Sequence, residues 1–256
     1  MLIQPLLDKL VQLHLPAFRQ GLQEQLASPK YAELSFEERL GLLVDLECTH
    51  RHDHRKVRRS YRIQRRLRLA GFPQPASMED LNLSPARGLD RSFMLELAQC
   101  SWIAKHLNVI ALGPTGSGKT FLATALGRAA TSLDHTVRYF RTSRLLYQLT
   151  QSHQDGSYAA LLDSLAKLDL LILDDWMRDP ITALEARDLL EIMDDRFGLT
   201  STLIVSQVPV TDWFGRLPDP TLADSILDRI IHNAYRLNLK GDSQRKTPTA
   251  ISMPST

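Results

Sequence analysis

NVIALGPTGSGKTFLATALGRAATS, residues 108–132, is the stretch from which the rest of the chain can be read. Its first five residues are a short apolar run bounded by glycine and read as a buried strand, and KTFLATALGRAATS (119–132) reads as a helix. Between them GPTGSGKT (113–120) matches G-x-x-x-x-G-K-[ST] in the strand, loop, helix setting that this motif requires. Gly113, Gly116 and Gly118 let backbone amides curl around phosphate oxygens at a helix N-terminus whose dipole favours anions. Pro114, Thr115, Ser117 and Phe121 complete the nucleotide-binding stretch. Lys119 is placed to neutralise the β and γ phosphates of ATP, and Thr120 to ligate Mg²⁺.

Working outward, TVRYF (136–140), DLLIL (169–173), STLIVS (201–206) and AYRLNL (234–239) are four further apolar runs, separated by helical stretches. Strands alternating with helices predict an α/β fold, a parallel five-stranded sheet covered on both faces. The third strand ends in Asp174-Asp175, 55 residues after Lys119. Asp174 suits a water-mediated hold on Mg²⁺, and Asp175 the positioning or deprotonation of an attacking water. After the fourth strand, Gln207 either senses a γ phosphate or caps the strand. Arg229, just before the fifth, is either an arginine finger reaching a neighbouring subunit or half of a surface ion pair with Asp224 or Asp228. Arg245 is a weaker candidate for the same electrostatic work.

The first seventy residues read as helices, with a break at Pro16 where a second helix can begin. Ser35 followed by Glu38 is a capping box, opening a helix over about 36–69. GFPQPASMEDLNLSPARG (71–88) contains three prolines and reads as a linker. The expected organisation is a helical domain over 1–70, a linker over 71–88, a nucleotide-binding domain over 89–245 and a tail over 246–256.

Charge is distributed unevenly. Residues 50–71 hold nine of the 31 Lys and Arg and one of the 29 Asp and Glu, leaving 22 basic against 28 acidic residues elsewhere. On a helix Arg51, Arg55, Arg58, Arg62 and Arg65 lie within an arc of roughly 80° over about 21 Å, and Arg59 and Arg66 widen the face. No acidic residue stands between 54 and 78. Such a stripe repels itself unless polyanions are near, which points to the phosphates of DNA or RNA with little reading of base sequence, ahead of an acidic protein partner or a plain solvated face. Of Cys48, His50, His52 and His54 only His50 and His54 share a helix face, and no partner pair elsewhere in the chain completes a metal site. The two cysteines form no CxxC pair, and no apolar run approaches the ~20 residues that span a bilayer, so a cytoplasmic protein without a membrane partner is expected.

Taken together, LSFEERLGLLVDLE (34–47), RGLDRSFMLELAQCSWI (87–103), GPTGSGKT, LLILDDW (170–176), STLIVSQVPVTDW (201–213) and ILDRIIHNAYRLNLKGDSQRK (226–246) resemble the IstB-type ATPases that assist transposases of bacterial insertion sequences. These belong to the AAA+ superfamily and stand close to the DnaC-type helicase loaders. The resemblance implies a bacterial ATPase that oligomerises on duplex DNA with ATP sites between subunits, and that helps a cognate transposase choose its target. A helicase loader is the alternative it leaves. By position it makes Lys119 and Thr120 the Walker A pair, Asp174 the Walker B magnesium residue and Asp175 the hydrolytic acid. Gln207 takes the sensor 1 position and Arg229 that of the arginine finger. Three departures stand out. Asp175 replaces the more usual Glu, Gln207 the more usual Asn, and the 17 residues after the fifth strand are too few for the customary helical lid, which weakens Arg245 as a sensor 2 residue.

Overall fold

The computed structural model describes residues 3–241, apart from the side chains of His54, Arg55 and Pro85. Arg245 and the expected tail lie outside the described residues. Two compact units divide the chain, one running to Gln64 and one beginning at Arg65.

In the first unit, α1 (Ile3–Gln12) and α2 (Pro16–Ala27) pack with the N-terminal half of α3, a single helix from Phe36 to Ala70. The predicted capping box opens α3: the Glu38 amide donates to Ser35 Oγ (3.2 Å) and the Ser35 amide to Glu38 Oε2 (2.7 Å). Pro16 starts α2 as expected, but its N-cap is Leu15, whose side chain has no oxygen to offer. Glu47, buried on α3, supplies one instead by accepting from the Phe18 amide at 3.0 Å. Without such an acceptor the first-turn amides would be buried unpaired.

The second unit is built on five parallel strands, β1 (Asn108–Leu112), β2 (Val137–Arg141), β3 (Leu170–Asp174), β4 (Ser201–Ser206) and β5 (Ala234–Asn238), in the order β2-β3-β4-β1-β5. Every pairing is parallel. Successive residues face opposite sides, so each strand feeds two cores. Val109, Ala111, Leu170, Ile172, Leu203 and Val205 join α6 (Lys119–Ser132), α4 (Arg91–Ala98) and α5 (Ser101–Ala104) on one face. Ile110, Leu171, Leu173 and Ile204 join α7 (Thr142–Asp155), α8 (Tyr158–Ala166), α9 (Ala183–Arg196) and α10 (Pro220–Ile231) on the other. The stretch after β2 is thus two helices, broken at Gly156, whose φ of +78° suits glycine at a helix end.

Residues 71–88 are not the free linker their prolines suggest. Phe72, Met78, Leu81 and Leu83 pack on the α6 face of the sheet. Phe72 fits because Gly127 leaves room: a Cβ there would stand 2.7 Å from the Phe72 ring and from Ile172 Cδ1. The last turns of α3 also belong to this unit, since Ala70 is buried in its core and Arg66 pairs with Asp134. The boundary accordingly falls before residue 70.

Two buried polar side chains tie the far edge of the sheet. Asn108 donates to the carbonyls of Arg229 (3.1 Å) and Ile230 (3.2 Å) at the end of α10, and accepts from the Thr202 amide of β4 (2.9 Å). Arg196 gives its guanidinium hydrogens to the carbonyls of Leu165 (2.6 Å), Leu168 (3.0 Å) and Ser201; burial lowers its pKa to about 10.

Candidate nucleotide site

All five strands run the same way, so their C-terminal ends open on one edge, where open α/β sheets take ligands. There β1 passes into the 113–120 loop and β3 ends in Asp174. A cleft of about 720 Å³ lies along this edge, lined among others by Thr115, Gly116, Gly118, Lys119, Thr120, Phe121, Asp174, Asp175 and Gln207. Most of the sequence-predicted nucleotide residues therefore meet in one place.

The loop is shaped by glycines. At Gly113 (φ +154°) a Cβ would stand 2.5 Å from the Leu239 carbonyl oxygen and 2.9 Å from Ser117 Oγ, so no larger residue fits. Gly118 (φ +87°) leads into α6. Lys119 Nζ lies over the loop, donating to the carbonyls of Gly113 (2.7 Å) and Pro114 (2.9 Å). At the loop's tip Thr115 Oγ1 donates to Gln207 Oε1 at 2.5 Å, so Gln207 touches the loop itself.

Asp174 is almost fully buried, and each of its oxygens is used. Oδ2 accepts from Thr120 Oγ1 (2.7 Å) and from the Tyr139 hydroxyl (2.6 Å), and Oδ1 accepts from the Asp175 amide (2.7 Å). Burial and then the Asp174 contact push the Tyr139 phenol well above its ordinary pKa, so it stays a donor. A hydroxyl and a carboxylate side by side are hard oxygen ligands of the kind Mg²⁺ takes, and the residues present fit that ion.

After Asp174 the chain turns sharply. Asp175 (φ +57°) and Met177 (φ +55°) both adopt the left-handed conformation, which costs energy in residues other than glycine. The Trp176 amide between them donates to the Val205 carbonyl (2.9 Å), and Ser206 Oγ donates to the Trp176 carbonyl (2.7 Å). These bonds hold the turn against β4. Asp175 emerges into the cleft, where Arg178 Nη1 donates to its carboxylate at 2.9 Å.

Sequence reading missed Tyr139, Arg178 and Arg87, which line or support this cleft. Strand alternation puts Tyr139 and Arg141 on one face of β2, and the β2-β3 register sets Arg141 beside Asp174. That signal becomes readable once the two strands are known to be neighbours. No spacing rule points to Arg87.

Arg229 is not brought to the cleft. Its guanidinium pairs with Asp194 on α9 and donates to the Ser225 carbonyl (2.7 Å), rather than meeting Asp224 or Asp228. The arginine stripe is also more engaged than its local sequence suggests. Arg51 donates to Glu47 Oε1 (2.9 Å) and the His14 carbonyl (3.1 Å), and Arg66 pairs with Asp134. Both acids lie outside the acid-free window of 54–78, one of them far along the chain. Arg58, Arg59, Arg62 and Arg65 are exposed. No group of three or more metal-ligating side chains occurs among the described residues, and no described helix is long and apolar enough to cross a membrane.

Comparison with known proteins places this site in a family. The model of the IstB-like ATP binding proteins matches residues 8–251. The chain belongs to the IstB-like ATP binding protein family. A member from Sinorhizobium fredii, whose name reads insertion sequence ATP-binding protein y4pL, is 41% identical over 96% of this chain and 98% of its own. Among solved structures, AMPPCP-bound DnaA from Aquifex aeolicus superposes with a TM-score of 0.57 at 16% identity, covering 67% of this chain and 52% of that one. DnaI superposes with a TM-score of 0.55 at 23% identity, covering 69% and 94%. These likenesses show a fold shared with DnaA and DnaI. The IstB-like membership is carried by the full-length match.

Proposed function

We propose that this protein is an ATP-hydrolysing, DNA-binding helper of an insertion-sequence transposase. The observation that carries the reading is the convergence of the 113–120 loop, Thr120, Asp174, Asp175 and Gln207 on one cleft, in a chain whose relatives are named for insertion sequences. Loop amides and Lys119 bind the phosphates of ATP, and Lys119 leaves its loop carbonyls to do so. Thr120 and Asp174 hold Mg²⁺, which when bound screens charge on the β and γ phosphates. Tyr139 keeps Asp174 oriented. Asp175 orients the attacking water and accepts its proton. Its carboxylate is one methylene shorter than a Glu and is shared with Arg178, so turnover is slow and serves as a timer. Gln207, bonded to the loop's tip, reports the γ phosphate to β4. Arg229 leaves Asp194 and completes the site of a neighbouring copy, so hydrolysis requires an oligomer.

The exposed arginines of α3 contact DNA phosphates, steering the protein to duplex DNA without selecting a base sequence. The transposase would meet the protein in that assembled, DNA-bound state. A helicase loader has only the shared fold in its favour. Steady-state ATP hydrolysis against added linear duplex DNA, at low and high salt, tests the reading. Stimulation that saturates with DNA and fades with salt is expected; turnover indifferent to DNA would separate the stripe from the ATP site and send the search to protein partners.

A further inference from the structure

Arg87 stands just before the α4 region, in the stretch expected to be a linker, and it is 8% exposed. Among the described residues its guanidinium forms no ion pair. Nη2 donates to the Ser117 carbonyl, and Nε is buried with no partner among those residues. The acids of the same cleft are engaged elsewhere: Asp80 with Ser77, Asp174 with Thr120 and Tyr139, and Asp175 with Arg178. Ser117 Oγ, fully buried beside it, also lacks a partner. A guanidinium removed from water without an anion is costly unless something negative completes it. Arg87 lines the wall of the cleft that holds the phosphate loop.

The guanidinium's hydrogen bond to Ser117 falls on an informative atom. The Ser117–Gly118 peptide is trans, so its carbonyl and its N–H point to opposite sides. Because Arg87 holds the carbonyl, the orientation of the Gly118 amide on the other side of the same peptide is fixed with it. A Cβ on Gly118 would stand 3.0 Å from Arg87 Nη2, so glycine is what lets the guanidinium come this close.

We infer that Arg87 is a positioning residue for polyphosphate: it fixes the Ser117–Gly118 peptide with its amide toward the phosphates, and its charge is compensated when a nucleoside di- or triphosphate is bound. This rests on the nucleotide reading above. Arg87 differs from the loop's own Lys119 in being buried before ligand arrives, and in coming from a segment upstream of β1.

The test uses the full chain, with ATP, ADP and AMP binding followed by calorimetry and unliganded stability by thermal melting. Arg87→Met should bind ADP and ATP about tenfold more weakly or worse, with the preference for ADP over AMP reduced. Its unliganded melting temperature should equal or exceed that of wild type, because the uncompensated charge is gone. Arg87→Lys, keeping the charge but not the planar fork, should recover part of the lost affinity. A lower unliganded melting temperature with unchanged ADP and ATP affinity would make Arg87 a brace of the fold and overturn the inference. Should Arg87→Met not fold, Arg87→Lys decides: weaker ADP binding with AMP binding unaltered supports the role, and equal ADP binding overturns it. Failure of wild type to bind ATP at all would remove the nucleotide reading and this inference together, whereas full binding by Arg87→Met would remove this inference alone.

Discussion

Asp174 and Asp175 are neighbours in sequence with opposite surroundings. Asp174 is buried and its oxygens are fixed by Thr120, Tyr139 and a backbone amide, which suits a metal-holding group that must not move. Asp175 sits on a left-handed residue at the cleft wall, held by one arginine that can let go. Asp175→Asn is therefore expected to keep ATP binding and to lower hydrolysis by about a hundredfold or more, read from nucleotide titration beside steady-state turnover. Equal turnover would show that the water is activated by another group. Lys119→Ala, by contrast, should lose ATP binding itself. The two acids could be picked out by their place after an apolar run; their different settings could not, since Tyr139 and Arg178 reach them by strand register and by a tight turn.

At the scale of elements, α2 shows how a helix can begin without a local cap. Its Leu15-Pro16 start offers no side-chain oxygen, and Glu47 reaches across from α3. Burial raises the Glu47 carboxyl, but the amides of Phe18 and Ala17 with the Arg51 guanidinium outweigh it and hold its pKa below the ordinary value. A carboxyl depressed on folding contributes stability that is fully present above its unfolded pKa of about 4.3 and is lost as pH falls through the lower folded value. Glu47→Ala should cost about 1–2 kcal/mol at pH 7 by chemical denaturation, and that difference should shrink toward pH 3. An equal cost at both pH values would mean that the ionised carboxylate is not what caps α2. The capping boxes at Ser35–Glu38 and Thr182–Glu185 are the contrasting case, in which donor and acceptor are three residues apart.

Across the whole molecule, the sheet order places the phosphate loop, Asp174 and Gln207 on one edge while leaving Arg229 against Asp194. If Arg229 acts on a neighbouring copy, Arg229→Ala should bind ATP normally and hydrolyse it about a hundredfold more slowly. Mixing it with Asp175→Asn should then restore activity above either alone, and a mixture no better than its components would place Arg229 outside the reaction. For the α3 stripe, replacing Arg55, Arg58 and Arg62 with Ala should weaken duplex binding and reduce the slope of log affinity against log salt by about two to three. An unchanged slope would move DNA to another surface. The strands, the phosphate loop and the opening of α3 were readable from the chain, because each rests on periodicity or on groups a few residues apart, and the family was readable as a resemblance carried by segments spread along the chain. The packing of 71–88 was not readable, nor were Glu47 on α2, Tyr139 on Asp174, Arg66 on Asp134 and Arg87 on the loop's Ser117 carbonyl. Those contacts join residues about thirty or more positions apart. Their partners depend on strand order and on which sheet face each helix covers, and both are settled by the joint packing of two cores rather than by any local pattern.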